Sequence, residues 1–175
     1  LYQIEDLKFE SVKYPKNGNT EYYLGIDENP YKRSQSWIQP EQLDLYSINY
    51  KTGNKVLVAE GVQYSNLLSP TGRYITWFDN ADSSFYIYNN QAGTKSQLTN
   101  NASVRFYDEL NDVPNIPNPY GIAGWTTNDE YVLVYDRFDV WKFPTNGGSE
   151  PVKLTNGRET NTVYRIQNVN YDSLN

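Results

Sequence analysis

Apolar residues along this chain come in short runs, mostly aromatic and β-branched, and each run stops at Asn, Gly, Asp or Pro. Tyr131, Val132, Leu133, Val134 and Tyr135 read as a buried strand, and the runs around Tyr74 and Phe85 read as strands too. Such side chains suit a pleated surface. No stretch carries the period of an amphipathic helix, and no helix is predicted.

The runs also repeat as groups. The segment "NLLSPTGRYITWFDNADSSFYIYNNQAGTKSQLTN" (66–100) shares its order of strands and turns with "IAGWTTNDEYVLVYDRFDVWKFPTNGGSEPVKLTN" (122–156), including the closing "LTN". Tyr74 corresponds to Tyr131 and Leu98 to Leu154. A looser copy precedes them: "NTEYYLGID" (19–27) resembles the strand around Tyr131, and "DLYSINYKTGNKVLV" (44–58) aligns with "SFYIYNNQAGTKSQL" (84–98), Gly53 matching Gly93. Each unit predicts four strands. They fall at 9–14, 20–27, 43–50 and 54–59, then 64–68, 73–78, 84–89 and 95–99, then 121–126, 130–135, 139–143 and 151–155. The run "TVYRIQNV" at 162–169 opens a fourth unit.

Four-stranded antiparallel units at roughly 40–55-residue spacing are the sequence form of propeller blades. The expected fold is all-β: a partial β-propeller, TolB-like or WD-like, of about three four-stranded antiparallel blades at 9–59, 64–99 and 121–155 within one segment, 1–175. A β-sandwich of short strands is the competing architecture, but a sandwich shows strand spacing without a whole-unit repeat. The turns agree with blades. "SPTG" places Pro70 and Gly72 where a type I turn favours them, and "KTGN" and "QAGT" supply glycines for reversals. A ring needs at least four blades, so the chain is expected to belong to a larger assembly of blades.

Composition narrows the function classes. The 175 residues are 38% hydrophobic and 15% aromatic, with 17 Tyr and 4 Trp, which is far from a disordered composition. The formal charge is -6 and no stretch clusters Lys and Arg, so nucleic acid is a poor partner. No run reaches the length of a membrane span. Cys, His and Met are all absent. Without His there is no Ser-His or Cys-His pair and no imidazole base or metal ligand, which removes most hydrolytic sites from this chain.

A resemblance rests on particular stretches. "LLSPTGRYITWFDNADSSFYIYN" is similar to the turn and following strands of TolB-like and prolyl oligopeptidase-family propellers. "DVPNIPNPYGIAGWTTNDEYVLVYDRFDVWKFPTNGG" with "KLTNGRE" resembles a block of large bacterial members of the prolyl oligopeptidase family of serine peptidases, a group that includes dipeptidyl-peptidase-like and acylaminoacyl-peptidase-like enzymes. The resemblance implies a non-catalytic propeller portion that helps form a peptide substrate chamber. Its partners would be the α/β-hydrolase catalytic domain of the same parent chain and a peptide substrate, in an extracytoplasmic compartment, periplasmic or secreted. That family keeps its nucleophile, acid and His in the hydrolase domain, and none of that domain is present. The alternative function is a stand-alone propeller-type binding or scaffold module for a protein or glycan partner.

The nearest string to a nucleophile elbow is "GGSEP" (147–151), where Pro151 replaces the closing Gly, so Ser149 reads as part of a turn and no catalytic residue is assigned. Asp79 and Asp82 in "DNADSS" begin like a calcium loop, but Ser84 stands where the Gly belongs and no Glu closes it. A solvated turn is the better reading, and neither a metal nor a cofactor is expected. Whether paired carboxylates could form a glycosidase site is left open, because their separation in space decides it. Asn101 fits a glycosylation sequon.

Two insertions remain, 28–42 and 100–120. In an up-down blade the first joins the second strand to the third and the other joins one blade to the next, so both are expected at the same end of the fold. Long ordered loops tend to carry function. Tyr107, Asp108, Glu109, Asp112 and Tyr120 are therefore the candidate substrate-binding residues: the closely spaced carboxylates of "YDELND" could gather a cation or a substrate amine, with solvated loop charge as the favoured ordinary reading of the three acids. The stiff "PNPYG" run is expected to return the loop to an innermost strand, with Gly121 and Gly124 allowing close passage and Trp125 anchoring the strand. The uncovered flanks of a three-blade arc predict a homo-oligomer of the chain.

Overall fold

The computed structural model describes residues 9, 11–16, 20–34, 36–38, 40–100, 102–148 and 150–167. Among the described residues, twelve strands form three sheets of four, each an antiparallel up-and-down meander. The first holds β1 (Ser11–Lys13), β2 (Tyr22–Asp27), β3 (Leu43–Asn49) and β4 (Lys55–Val62). The second holds β5 (Tyr64–Leu68), β6 (Tyr74–Asp79), β7 (Ser84–Asn89) and β8 (Thr94–Gln97). The third holds β9 (Ile122–Trp125), β10 (Tyr131–Tyr135), β11 (Val140–Pro144) and β12 (Val152–Lys153).

The three sheets stack in chain order, and the middle one decides the packing. Its strands are apolar on both faces because alternate side chains serve different neighbours. Tyr74 and Phe78 of β6, with Phe85 and Ile87 of β7, meet Val132, Val134 and Phe143 of the third sheet. Ile75 and Trp77, with Tyr88, meet Leu24, Ile26, Leu45 and Val58 of the first. Ile75, Trp77, Phe78 and Phe85 are all fully buried. Each fully buried large side chain removes enough apolar surface to contribute about 1.5–3 kcal/mol.

The repeat in sequence is a repeat of hydrogen bonds. In the "LTN" copies, Leu98 N–H donates to Phe85 O at 2.7 Å and Leu154 N–H to Val140 O at 2.8 Å. Thr99 Oγ1 accepts from Phe85 N–H and Thr155 Oγ1 from Val140 N–H, each at 3.1 Å. The hydroxyl thus closes the start of each third strand. Ser69 and Thr126 play matching parts before β6 and β10, their hydroxyls accepting from Tyr74 and Tyr131 N–H at 3.0 Å. In "KTGN" and "QAGT", Gly53 and Gly93 adopt φ of 75° and 67°, while Asn49 and Asn89 cap the two turn amides that follow them.

The structure departs from the sequence reading in four places. Among the described residues three short helical segments occur, at Asn29–Tyr31, Thr127–Asp129 and α1 (Gly157–Thr160). The amides of Gly157 and Arg158 in α1 are held by the carboxylate of Asp139, a distant group that local sequence patterning does not register. The expected strand at 162–169 joins no sheet over residues 162–167, and residues 168 and 169 lie outside the described residues. Its amides turn instead to single acceptors outside any strand ladder: Thr162 N–H to Gly157 O, Tyr164 N–H to Phe138 O and Ile166 N–H to the Tyr135 hydroxyl.

Within β10 only Val132 and Val134 are buried, because Tyr131, Leu133 and Tyr135 point to the face of the third sheet that no other sheet covers. Finally, a Cβ placed on Gly121 or Gly124 would meet nothing within 4 Å, so close passage is not their reason. Their φ values, 98° and 152°, are the reason, together with the β-bulge that Ala123 makes as β9 shifts register between Leu133 and Val134. Trp125 does anchor β9, stacking on Tyr74 of the middle sheet with centroids 6.3 Å apart and an 11° interplanar angle.

Candidate functional site

Both insertions flank the same end of the middle sheet. The 28–42 segment is tied down by the Tyr31 hydroxyl, which donates to Asp44 Oδ1 at 2.6 Å, and by Gln63 Nε2, which donates to Pro40 O at 2.8 Å. Asn80, in the β6–β7 turn, in turn donates to Gln63. Burial first, then the Asp44 hydrogen bond and charge, pushes the Tyr31 phenol up to about 12. On the other side of that end, the 100–120 segment starts from the Leu98 and Thr99 contacts to Phe85 at the same turn.

The 100–120 segment is ordered by a core plug and a small hairpin of its own. Phe106 is buried against Phe143 and Trp141, edge-on to both, with centroids 5.4 and 6.0 Å away. Tyr107 then bridges Pro119, Asp108 N–H donates to Asn118 O at 2.8 Å, and Tyr120 N–H donates to Phe106 O at 2.9 Å. Four of the five expected residues, Tyr107, Asp108, Glu109 and Tyr120, are thereby brought together. Asp112 sits apart and exposed at the tip.

Their carboxylates are not equivalent. Glu109 forms a forked ion pair with Arg158, at 2.7 and 3.2 Å, and Arg158 reaches Asp136 at 3.3 Å. The Glu109 hydrogen bonds raise the Arg158 guanidinium further above its ordinary range. Asp108 Oδ1 accepts from Leu110 N–H at 3.0 Å. Glu109 is therefore committed to fastening the loop, which leaves Asp112 as the exposed acid. Tyr120 Oη accepts from Glu109 N–H at 3.0 Å, and Arg165 lies over its ring at 6.0 Å. Burial pushes the Tyr120 phenol up, against the opposing Glu109 N–H.

Asp136 and Asp139 complete this end of the third sheet, and both are fully buried. Asp136 accepts from Phe138 N–H at 2.7 Å and Trp141 Nε1 at 3.2 Å, besides its ion pair. Burial opposes ionisation of Asp139, yet hydrogen bonds from Gly157, Thr155 and Arg158, with the Lys153 charge, outweigh it and hold the carboxyl below its usual value.

An aspartate ends the second strand of the first two units and directly follows it in the third. Asp27, Asp79 and Asp136 each accept the amide two residues on, from Asn29, Ala81 and Phe138 at 3.0, 3.0 and 2.7 Å. These were legible in the repeat as "GID", "WFD" and "VYD", and their role is turn closure. Asp82 accepts from the Tyr86 hydroxyl at 2.6 Å, a bond that is the main cause pushing that phenol up to about 12. Among the described residues no group of three or more His, Cys, Asp or Glu could hold a metal ion. Asn101 and Ser149 lie outside the described residues.

Residue-type reasoning about acids and rings missed the apolar side chains that the insertions expose. Trp37 is 72% exposed, Leu110 64% and Val113 57%. The chain matches no known protein-family model, and no curated protein matches it. No helix of the described residues is long and apolar enough to cross a membrane.

Proposed function

We propose that this chain is the non-catalytic β-propeller portion of a prolyl oligopeptidase-family serine peptidase, and that its insertion-bearing end helps form the peptide substrate chamber. The observation that carries the architectural half is the middle sheet, apolar on both faces, between two sheets that follow the same meander. Blades packed around an axis need exactly that two-sided burial, and a sandwich does not. The first strands β1, β5 and β9 each lie at a sheet edge, as the innermost strands of blades do.

The chamber half rests on the resemblance of the 112–148 block and on where the insertions lie. They place Tyr107, Asp112, Trp37, Leu110 and Val113 at one end, opposite the tight turns, where a hydrolase domain and its substrate would sit. This chain contributes walls and contacts. Its lack of His leaves hydroxyls without the usual base.

The test uses the full parent protein. A fluorophosphonate should label one serine outside residues 1–175, and replacing Tyr107, Asp108 and Asp112 with Ala should change the cleavage profile over a peptide library without unfolding the protein. Absence of any labelled serine, or an unchanged profile, would overturn the enzymatic or the chamber part respectively.

A further inference from the structure

The tripeptide Thr-Asn-Gly occurs twice beside the third sheet, as Thr145, Asn146 and Gly147 after β11 and as Thr155, Asn156 and Gly157 after β12. An asparagine ahead of glycine is open to attack by its own backbone, because glycine places no side chain beside the incoming nitrogen. The deprotonated glycine nitrogen attacks the asparagine Cγ, a C–N bond forms to close a succinimide, and the Cγ–Nδ2 bond breaks to release ammonia. Water then adds at either imide carbonyl and opens the ring to aspartate or isoaspartate. The residues on either side of the asparagine are the same in both copies, so the fold must separate them. Another Asn-Gly pair, at residues 17 and 18, lies outside the described residues.

At Asn156 the nucleophile is tied up. Gly157 is buried and its amide donates to Asp139, while Arg158 N–H donates to the other oxygen of that carboxylate at 3.2 Å. A Cβ on Gly157 would meet Thr162 O at 2.1 Å and Phe138 O at 3.0 Å, so there is no room for the backbone to turn toward the side chain. The side chain is held as well, Asn156 Oδ1 accepting from Lys153 Nζ at 2.9 Å and Nδ2 donating to Glu159. Asn146, Gly147 and Gly148 are exposed instead, the Gly147 amide donates to no described residue, and a Cβ on Gly147 would meet nothing within 4 Å. Gly148 N–H donates to Asn146 Oδ1 at 2.9 Å. The negative charge that develops on this oxygen as Cγ is attacked therefore already has a donor. We propose that Asn146 is a site of self-modification, converting to aspartate and isoaspartate through a succinimide with Gly147, while the fold protects Asn156. The product adds a negative charge to the turn that leads into β12, and isoaspartate lengthens the backbone there by a methylene.

The test incubates the protein at neutral and mildly alkaline pH and follows both sites by tryptic peptide mapping with mass spectrometry, cleavage at Lys142, Lys153 and Arg158 placing Asn146 and Asn156 on different peptides. Labelling with an isoaspartyl methyltransferase identifies the isoaspartate. In the folded protein Asn146 should convert at least about tenfold faster than Asn156, since reaction at Asn156 must wait for local opening. Its rate should rise with pH, because the nucleophile is the deprotonated amide. In guanidinium chloride the two rates should converge, with Thr and Gly flanking both asparagines. Asp139→Ala, its fold checked by circular dichroism, should speed conversion of Asn156 and leave Asn146 unchanged. Equal rates in the folded protein would overturn the proposal. So would a gap that persists in the denaturant.

Discussion

Thr71, in the turn before β6, donates its hydroxyl and its backbone N–H to the same carboxylate oxygen of Asp129, in the turn before β10, the amide bond measuring 3.2 Å. The two residues are 58 positions apart and lie in equivalent turns of adjacent sheets. Asp129 is 1% exposed and holds φ at 57°, a conformation that Asp tolerates better than most residues. Its side chain locks one sheet to the next. Asp129→Ala should lower stability by about 2–3 kcal/mol, since it removes two hydrogen bonds to a charged group and strains the backbone. Thr71→Val should cost about half as much, and urea unfolding of both variants measures the difference.

Burial on both faces of the middle sheet sets a second expectation. Trp77 faces the first sheet and Phe78 the third, and both are fully buried. Replacing either with Ala should destabilise by about 3–5 kcal/mol. Leu57→Ala, on a side chain 43% exposed, should cost under about 1 kcal/mol. A small effect at Trp77 with a large one at Phe78 would show that the first sheet does not pack as described.

Acid sensitivity follows from Asp139. Its folded pKa is depressed, so its stabilisation is present above the unfolded value of about 3.9 and is lost as pH falls through the lower folded value. Stability of the wild type should therefore fall more steeply below about pH 4 than that of Asp139→Asn. Parallel pH profiles from thermal melts would remove Asp139 from the acid response.

Self-association is expected through the face of the third sheet that no other sheet covers among the described residues. Tyr131, Leu133 and Tyr135 are only half-buried there, and Val152 is 50% exposed. Exposed apolar faces of this kind drive pairing. Analytical ultracentrifugation should show a concentration-dependent rise in mass, and Leu133→Lys should suppress it. A monomer at every concentration would assign that face to solvent.

Strand positions were legible because the signals that set them are local. The runs around Tyr74, Phe85 and Val132 are short, aromatic and β-branched and are bounded by turn residues, and Gly53, Gly93 and "SPTG" carry their turn conformations within a few residues. The "LTN" repeat was visible as letters before its hydrogen bonds gave it a reason. Membership of the 100–120 site was half legible: the sequence grouped Tyr107, Asp108, Glu109 and Tyr120, but nothing local reveals that Glu109 is spent on Arg158, a partner 49 positions away.

What the sequence determined by itself was the inventory of four-stranded units and their turns, since adjacent strands and hairpin bonds depend on neighbours along the chain. Only the tertiary structure decided which face of each strand is buried, why α1 forms on the carboxylate of Asp139, and why residues 162–167 join no sheet. Each of these depends on a group that is distant in sequence. A buried charge or an apolar face is stabilised only by what is packed against it, and the one-dimensional pattern does not say what that is.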